Sequence, residues 1–330
     1  MKILVTGGAG FIGTNVVLRM AERGHEVIVL DNLSKRGSAA NLACIRAKTK
    51  AQFAKVDIRR LQDIEDVVSC NPVDVVIHLA AQTAVTTSLE DPMDDFTTNA
   101  LGTLNVLETV RKYAPEAVVL YSSTNKVYGD LADLKLTETE TRYEAEIDGV
   151  GDDRQLDFFS PYGCSKGAAD QYVRDYHRVY GLKTVVARQS CIYGEYQNGT
   201  EDQGWVAWFA KAVMEDRRIT IYGNGKQVRD ALHVQDLVDF YEKAISGGPF
   251  GKTYNVGGGP DKSMSLIDLL RILGKILKKE PILDYGPERV GDQKYFVSAN
   301  ERAFETFGWK PKIGTEEGVR RLISHMEAQE

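Results

Sequence analysis

Near its amino terminus the chain carries the stretch Ile3-Leu4-Val5-Thr6-Gly7-Gly8-Ala9-Gly10-Phe11-Ile12-Gly13. An apolar run, a glycine-rich turn and apolar residues at helical spacing predict a strand, a tight turn and a helix. Gly7 permits the turn, Gly10 lets the backbone approach a pyrophosphate, and Gly13 lets helix and strand pack closely. The free N–H groups and the dipole of the helix attract anions. This stretch therefore predicts a βα unit that binds a dinucleotide.

A second predicted strand supports the same interpretation. It covers Val27-Ile28-Val29-Leu30 and ends in Asp31. A carboxylate at this position binds the ribose 2′-hydroxyl and repels a 2′-phosphate, which favours NAD over NADP. Lys35 and Arg36 follow, and we interpret them as part of a solvated loop. A glycine turn without a ligand is disfavoured because the strand, the turn, the helix and the carboxylate occur together.

Strand and helix patterns alternate along the first half of the chain. Further apolar strands are predicted near residues 53–56, 74–79, 118–121 and 184–187. This alternation predicts the α/β class, with a Rossmann-like, doubly wound parallel sheet covered by helices on both faces. Later segments alternate less regularly, and we expect them to form a smaller C-terminal substrate-binding lobe.

Composition excludes several classes of function. The net charge of −6 over 330 residues argues against nucleic acid as a partner. We find no apolar run long enough to span a membrane and no signal peptide, so we expect a cytoplasmic protein without a membrane partner. The four cysteines and five histidines have neither metal-ligand spacing nor a disulfide pattern, and we predict no metal site.

The acidic charge is concentrated between Asp130 and Asp157. This segment contains ten acidic and three basic residues, a balance of −7. It shows little apolar periodicity, and we predict a long, solvated surface loop.

A second motif, Ser160-Pro161-Tyr162-Gly163-Cys164-Ser165-Lys166, carries candidate chemistry. Pro161 suits the first turn of a helix, and the Tyr162 and Lys166 side chains, four residues apart, then share one helix face. An ammonium beside a phenol lowers the phenol pKa from about 10, which lets it exchange a proton near neutral pH. An isolated Y-x-x-x-K pattern is more often an exposed Tyr and an unrelated Lys, but the glycine turn reverses that preference.

Together these features resemble the extended short-chain dehydrogenase/reductases that act on nucleotide sugars. The resemblance covers nearly the whole chain and includes the glycine turn, Leu79-Ala80-Ala81, Asn99, Thr124, the Tyr162–Lys166 pair, Gly194, Arg229-Asp230 and Arg289-x-Gly291-Asp292. One branch, the C2 epimerases of CDP-linked 3,6-dideoxyhexoses, is more similar. It shares residues 122–130, 156–172, 202–206 and 223–230.

The resemblance implies an isomerase that holds NAD and inverts C2 of a CDP-hexose, of the paratose-to-tyvelose type, by transient oxidation to a keto sugar. Tyr162 is implied as the base, Lys166 as the residue that lowers its pKa and binds the nicotinamide ribose, and Thr124 as a hydrogen-bond donor to the reacting oxygen. Related 4,6-dehydratases place an acidic pair directly after this Thr. Asn125 and Lys126 stand there in this chain, so we disfavour elimination of water.

The resemblance also implies two binding sets. The cofactor set is Gly7, Gly10, Phe11, Ile12, Gly13, Asp31, Asn32, Asp57, Ile58, Leu79, Ala80, Ala81, Gln82, Asn99, Ser122, Tyr162, Lys166 and Gln189. The substrate set is Thr124, Asn125, Val206, Tyr222, Arg229, Arg289 and Asp292. Arg229 and Arg289 are expected to clamp a pyrophosphate. Tyr222 is expected either to stack on the nucleobase or to be a buried strand residue.

We predict an NAD-binding domain over residues 1–188, with 230–257 returning to it, and a nucleotide-sugar-binding lobe over 189–229 and 258–330. Relatives of this kind form homodimers or homotetramers, and we expect one of these states. Two alternative functions stay open. The first is another epimerase, acting on C2 of CDP- or GDP-glucose/mannose or on C4 of UDP-sugars. The second, less favoured, is a non-catalytic NAD-binding protein.

Overall fold

A computed structural model describes residues 1–289 and 291–329. Its strands are β1 (Lys2–Thr6), β2 (Glu26–Asp31), β3 (Gln52–Lys55), β4 (Val75–His78), β5 (Val118–Thr124), β6 (Leu136–Glu138), β7 (Tyr143–Ala145), β8 (Lys183–Gln189), β9 (Cys191–Tyr193), β10 (Arg218–Tyr222), β11 (Val228–His233), β12 (Lys252–Val256), β13 (Ser263–Ser265), β14 (Ile282–Gly286) and β15 (Tyr295–Phe296). Its α-helices are α1 (Phe11–Glu22), α2 (Ser38–Lys48), α3 (Leu61–Cys70), α4 (Val85–Glu90), α5 (Pro92–Phe96), α6 (Gly102–Tyr113), α7 (Ser160–Tyr180), α8 (Trp205–Met214), α9 (Val234–Ile245), α10 (Leu266–Leu277), α11 (Glu301–Phe307) and α12 (Thr315–Glu327).

The central sheet has seven strands in the order β12-β8-β5-β4-β1-β2-β3. β1 pairs in parallel with β2 and with β4, and the strand order therefore reverses beside β1. Ile3, Leu4 and Val5 alternate between the two faces of β1, yet each is 1% exposed or less, so helices cover both faces. The predicted Rossmann-like, doubly wound fold is confirmed, and the reversal marks the usual position of a ligand crevice.

The helices bury apolar stripes against this sheet. Leu4 belongs to one apolar cluster with residues of α3, α6 and α7. Met20, on the apolar stripe of α1, is fully buried. Arg19, also on α1, pairs with Asp239 at 2.8 Å and with Glu242 at 2.9 Å, which joins α1 to α9. α5 continues through a π-helical turn over Thr97–Leu101 into α6.

The chain divides into two compact units. Unit 1 comprises Met1–Thr124, Ser160–Arg188 and Val238–Tyr254, and unit 2 comprises Asn125–Phe159, Gln189–Leu237 and Asn255–Glu330. These bounds differ from the predicted domain limits mainly because residues 125–159 belong to unit 2. The reason is packing within that unit: Tyr128 and Val150 lie in one buried apolar cluster with Phe296.

Unit 2 contains a sheet in the order β13-β11-β15, with β9 also paired to β11, and the two-stranded sheets β10-β14 and β6-β7. Its largest apolar cluster brings together α8, α10 and α12 through residues such as Phe209, Leu269 and Leu322.

The acidic segment 130–157 is not only the solvated loop that its charge predicted. β6 and β7 form an antiparallel hairpin inside it. Tyr143 is 8% exposed and packs with Tyr295, and Val150 is 1% exposed beside Phe296. A few well-spaced apolar side chains therefore attach the segment to unit 2, although it contains ten acidic and three basic residues.

No helix within residues 1–289 and 291–329 combines the length and the apolar character needed to cross a membrane.

Candidate active site

The glycine turn after β1 has the geometry that its sequence predicted. Gly7 has φ +67°, and its amide donates a 2.7 Å hydrogen bond to the carbonyl oxygen of Leu30. A Cβ on Gly7 would lie 2.8 Å from the backbone nitrogen of Ala80, and a Cβ on Gly13 would overlap the carbonyl oxygen of Gly7. Both positions therefore require glycine, because the chain approaches itself too closely for a side chain.

The start of α1 suits a pyrophosphate. Gly10 is the N-cap residue and brings no side chain to the helix end, and the first turn contains no acidic residue. Phe11, Ile12 and Gly13 supply the first three helical amides, whose N–H groups have no acceptor within a helix. The turn thus presents donors and a positive dipole end to an anion.

Asp31 ends β2 and is 9% exposed. Its carboxylate accepts hydrogen bonds from the amides of Ala9, at 3.0 Å, and Leu33, at 2.7 Å. Burial raises the pKa of Asp31, and these backbone hydrogen bonds oppose that shift. Each carboxylate oxygen has a further lone pair, so the group is suited to accept ribose hydroxyls. The glycine turn and this carboxylate fit NAD.

The structure also brings together the predicted residues that follow β2 and β3. The side-chain amide of Asn32 donates to Asp57 at 3.2 Å, and Arg59 contacts the same carboxylate at 2.6 Å. The Arg59 hydrogen bond lowers the pKa of Asp57 to about 2, so this group is a carboxylate throughout the physiological range. Ile58 is 6% exposed and belongs to the apolar cluster beneath the sheet edge.

The segment after β4 is held by side-chain hydrogen bonds. The Thr6 hydroxyl accepts from the amides of Leu79 and Ala80, both at 3.2 Å. The amide of Gln82 donates to the side chain of Asn99 at 2.9 Å, and Asn99 returns a 3.1 Å hydrogen bond to the carbonyl of Gln82. Leu79, Ala80, Gln82 and Asn99, all predicted from the sequence, thus share one edge of the sheet; Ala81 lies between them in the chain.

Asp95 is a residue of this region that the sequence interpretation missed. It is fully buried on α5 and accepts hydrogen bonds from Gln82, at 2.9 Å, from Asn99, at 3.2 Å, and from the hydroxyl of Ser165. Burial raises its pKa. The available signal was its position four residues before Asn99, on the same helix face. An acidic residue near a helix N-terminus is usually solvated, which hid this role.

The catalytic candidates lie on α7 and β5. Tyr162 is 9% exposed and Lys166 is 4% exposed, one helical turn apart on α7, with Pro161 in the first turn as predicted. The Lys166 ammonium donates a 2.6 Å hydrogen bond to the carbonyl oxygen of Ser122. Thr124 lies two residues further along β5 and is 7% exposed.

Electrostatics around Lys166 are set by burial and by two carboxylates. Burial lowers the pKa of Lys166 to about 7, and the carboxylates of Asp170 and Asp95 oppose this shift. Asp170 in turn forms a buried bidentate pair with Arg188, at 2.9 and 3.0 Å, and accepts from the Ser123 hydroxyl at 2.8 Å. This pair anchors α7 to β8 and β5, and so holds the face that carries the catalytic candidates.

In unit 2, Arg229 and Asp292, both members of the predicted substrate set, are in contact. An Arg229 guanidinium nitrogen lies 2.7 Å from Asp292 Oδ1, and the guanidinium also donates to the carbonyl oxygen of Gln293. Asn125 donates a 3.1 Å hydrogen bond to the side-chain oxygen of Gln293. These contacts tie residues 291–293 to β11 and to the 3₁₀ turn that follows β5.

Arg289 lies over the ring of Tyr222. Its guanidinium carbon lies 3.9 Å from the Tyr222 ring centroid, a cation–π arrangement. The Tyr222 hydroxyl donates to Glu201 at 2.7 Å, and Arg289 lies 3.3 Å from Asp202. Tyr222 is half-buried at the end of β10, with the arginine on one face of its ring. Both expectations for Tyr222, stacking on a base or a buried strand residue, stay predictions.

Val206, Gln189 and Cys191 remain to be placed. Val206 is 2% exposed and packs in the apolar cluster of α8, and Gln189, at the end of β8, is 5% exposed. Cys191 is half-buried, and burial raises the pKa of its thiol. Ligand contacts for Val206 and Gln189 stay predictions. Within residues 1–289 and 291–329, no group of three His, Cys, Asp or Glu side chains is placed to hold a metal ion.

The sequence matches the NAD dependent epimerase/dehydratase family over residues 3–257. It is 42% identical over 331 residues, 98% of each chain, to the CDP-paratose 2-epimerase of Salmonella typhi. Two solved structures of UDP-glucose 4-epimerases are also similar. That of Thermotoga maritima, with UDP-glucose, has TM-score 0.87 and 32% identity, covering 100% of this chain and 99% of the other. That of Thermus thermophilus, with NAD, has TM-score 0.84 and 33% identity, covering 99% of both.

These similarities confirm the resemblance to the extended short-chain dehydrogenase/reductases, and with it an enzyme that uses NAD. The glycine turn, Asp31 and the buried lysine of α7 are the candidates in this structure for holding that cofactor. The chain belongs to the NAD dependent epimerase/dehydratase family, whose relatives here act on nucleotide sugars.

Proposed function

We propose that this protein inverts C2 of a CDP-hexose, of the CDP-paratose to CDP-tyvelose type, through a transient keto sugar. The observation that carries the proposal is the 42% identity over 98% of both chains to a CDP-paratose 2-epimerase. The matched region includes the predicted catalytic and substrate residues alike. Identity to UDP-glucose 4-epimerases and to dTDP-glucose 4,6-dehydratases is lower, at 31–34%.

The residues after Thr124 argue for epimerisation over dehydration. Elimination of water by related 4,6-dehydratases uses an acidic pair at these two positions. Asn125 and Lys126 occupy them here, and their side chains donate hydrogen bonds to Gln293 and to the carbonyl oxygen of Gly291. Neither side chain is a carboxyl group, so this chain lacks the acidic pair that those dehydratases use.

The proposed chemistry assigns one proton and one hydrogen-bond donor to this chain. NAD held by the glycine turn and Asp31 would supply reversible hydride chemistry at the sugar carbon. Tyr162 takes the proton of the reacting hydroxyl at its phenolic oxygen and gives it back when the hydroxyl re-forms. Thr124 donates a hydrogen bond to the same oxygen, and Lys166 favours the phenolate by its positive charge. The ketone presents its other face between the two transfers.

Substrate binding is assigned to residues of unit 2. Arg229 and Arg289 suit bidentate contacts with a pyrophosphate, and Tyr222 supplies an aromatic face for the base. In the structure Arg289 lies over one face of Tyr222, so a candidate for the pyrophosphate and a candidate for the base are in contact. We assign NAD binding to residues of unit 1, with Gln189 as an additional contact.

The alternatives are C2 epimerisation of CDP- or GDP-glucose/mannose and C4 epimerisation of UDP-sugars. A panel of CDP-, GDP- and UDP-hexoses, with the products identified by NMR, separates them because the inverted carbon is read directly. We expect turnover of CDP-paratose and CDP-tyvelose with inversion at C2. Inversion at C4 of a UDP-sugar, with CDP-sugars untouched, would refute the proposed specificity.

We also propose a homodimer or homotetramer. Large apolar side chains are exposed along α4, α5 and the turn after them: Leu89 is 46%, Met93 69% and Phe96 53% exposed. Surfaces of this kind mark protein contacts. Light scattering after size exclusion measures the state, and a monomer at micromolar concentration would contradict it.

A further inference from the structure

Lys126 is a largely buried cation beside the predicted substrate residues, and the function proposed above gives it no ligand. It lies on the 3₁₀ turn Asn125–Tyr128, and its side chain is 16% exposed. Its ammonium donates a 3.1 Å hydrogen bond to the carbonyl oxygen of Gly291 and lies 3.9 Å from Asp292 Oδ1.

The same carboxylate oxygen is shared with a second cation. Arg229, whose side chain is 8% exposed, places a guanidinium nitrogen 2.7 Å from Asp292 Oδ1. The cationic nitrogens of Lys126 and Arg229 therefore both lie within 3.9 Å of one oxygen. Together the three groups carry a net charge of +1. Two neighbouring cations with restricted access to water are costly unless an anion offsets their charge.

The pKa of Lys126 reflects its burial and its charged neighbours. Burial and the positive charge of Arg229 lower the pKa of Lys126 to about 8, while Asp292 and Cys191 oppose the shift. Arg229 faces it from β11, Cys191 from β9, and Asp292 from the segment between β14 and β15. A bound anion would stabilise the ammonium form and raise that pKa.

We propose that Lys126 binds the pyrophosphate of the nucleotide sugar together with Arg229. Lysine contributes a compact point charge, whereas arginine contributes a bidentate fork, so the two cations complement each other on a diphosphate. The inference rests on the proposed function in taking a nucleoside diphosphate sugar as the ligand, but it does not depend on which base or which sugar carbon is used. The rival interpretation is structural, with Lys126 only tethering Gly291.

Calorimetric titration of the NAD-loaded protein with CDP and with cytidine separates these roles, because only the diphosphate would reach Lys126. For Lys126→Met we expect CDP affinity to fall about 10- to 100-fold, the loss of one charge-assisted hydrogen bond, with cytidine affinity unchanged. Lys126→Arg should retain most of the CDP affinity. Lys183→Met, which removes a half-buried lysine of unit 1, serves as the matched control and should bind as the wild type.

The pH dependence supplies a second readout. Wild-type CDP affinity should decline as the pH rises above about 8, where Lys126 loses its proton, and Lys126→Arg should remove this decline. Unchanged CDP affinity in Lys126→Met, or equal losses for CDP and cytidine, would overturn the proposal. If Lys126→Met does not fold, as judged by circular dichroism, Lys126→Gln is titrated in its place.

Parallel titrations with UDP and uridine, and with GDP and guanosine, keep this inference distinct from the proposed function. A protein that prefers uridine or guanosine would refute the CDP assignment, while the loss caused by Lys126→Met would still appear for the preferred diphosphate. A wild type that binds no diphosphate more tightly than its nucleoside would overturn the role of Lys126.

Discussion

The buried ammonium of Lys166 donates a 2.6 Å hydrogen bond to the main-chain carbonyl oxygen of Ser122. The acceptor belongs to the backbone of β5, so the position of this cation is fixed by the sheet and not by a second mobile side chain. Thr124 leaves the same strand two residues later. The cation and the hydroxyl that the proposed reaction uses are therefore set by one strand, which limits how far either can shift.

Replacing Tyr162 by Phe tests the assignment of the base. The ring would still fill its largely buried position on α7, so we expect the fold and the NAD content to be retained. Turnover should fall by about 10²- to 10⁴-fold, the usual contribution of a positioned acid–base group. Epimerisation is followed by NMR and bound NAD by absorbance. Tyr172→Phe, on an exposed face of the same helix, is the control and should be fully active; substantial turnover by Tyr162→Phe would remove it as the base.

Asp95→Asn tests a positioning role through Ser165 and Lys166. Removing this carboxylate removes one of the charges that hold the pKa of Lys166 up against burial, so that pKa should fall. Activity that requires the ammonium should then decline at a lower pH than in the wild type. The readout is the pH profile of kcat/KM at constant NAD saturation.

Asp94→Asn is the neighbouring control, since Asp94 is only half-buried and pairs with Arg59 at 2.7 Å. The Asp94→Asn variant should show the same pH profile of kcat/KM as the wild type. A profile of Asp95→Asn that matches the wild type, with only a uniform loss of activity, would argue for a purely structural role.

Breaking the Asp170–Arg188 pair should destabilise the protein strongly. Both side chains are almost fully buried, at 0% and 3% exposure, so Arg188→Met leaves an uncompensated carboxylate. We expect the free energy of unfolding in urea to fall by about 3–5 kcal/mol. The double variant Arg188→Met/Asp170→Leu should recover part of this loss because no charge remains buried. Lys183→Met breaks an exposed pair with Glu116 and should change stability little. A small effect of Arg188→Met would contradict the anchoring role.

His78 should make the protein sensitive to mild acid. Its ring nitrogens lie 2.6 Å from the Thr6 hydroxyl and 3.0 Å from the Thr103 hydroxyl, and burial lowers its pKa from 6.5 to about 3. The unfolded chain binds a proton near pH 6.5 and the folded chain does not, so stability falls as the pH drops below 6.5. Between about pH 7 and pH 5 this linkage amounts to about 2 kcal/mol.

Urea unfolding at the two pH values measures this loss. His78→Asn should be less stable at neutral pH but should show a shallower fall towards the acid value, whereas His325→Asn, at the end of α12, should keep the wild-type slope. Equal slopes for the wild type and His78→Asn would exclude His78 as the source.

Local patterns predicted the sheet and its ligand edge well. Apolar strands flanked by helical periods, together with the glycines at positions 7, 10 and 13, depend on short-range geometry that a sequence displays directly. The Tyr162–Lys166 spacing is of the same kind. Residues such as Asp95 were missed because their role depends on burial by distant segments, and charge alone suggested a solvated helix start. The hairpin in segment 130–157 was missed for a related reason, since a few apolar contacts outweigh many surface charges.

The contacts among the predicted substrate residues could not be predicted from the sequence. Arg229 and Asp292 stand 63 positions apart, and their contact follows from the return of the chain beside β11. That Arg289 lies on Tyr222, and that Lys126 shares a carboxylate with Arg229, are likewise consequences of tertiary packing. Sequence similarity indicated which residues matter, but not which pairs they form.

The three-segment composition of unit 1 has a consequence for biosynthesis. Every glycine-turn and catalytic residue is translated before position 167, yet the outer strand β12 and much of α9 come much later in the chain. When a ribosome-bound chain has emerged only as far as β8, β8 is an unpaired edge of the sheet because β12 is still missing. The partners of Arg19 on α9 are missing too. Such long-range pairings slow folding and leave aggregation-prone edges on the nascent chain. We expect the dinucleotide fold to close only after most of the polypeptide has left the ribosome.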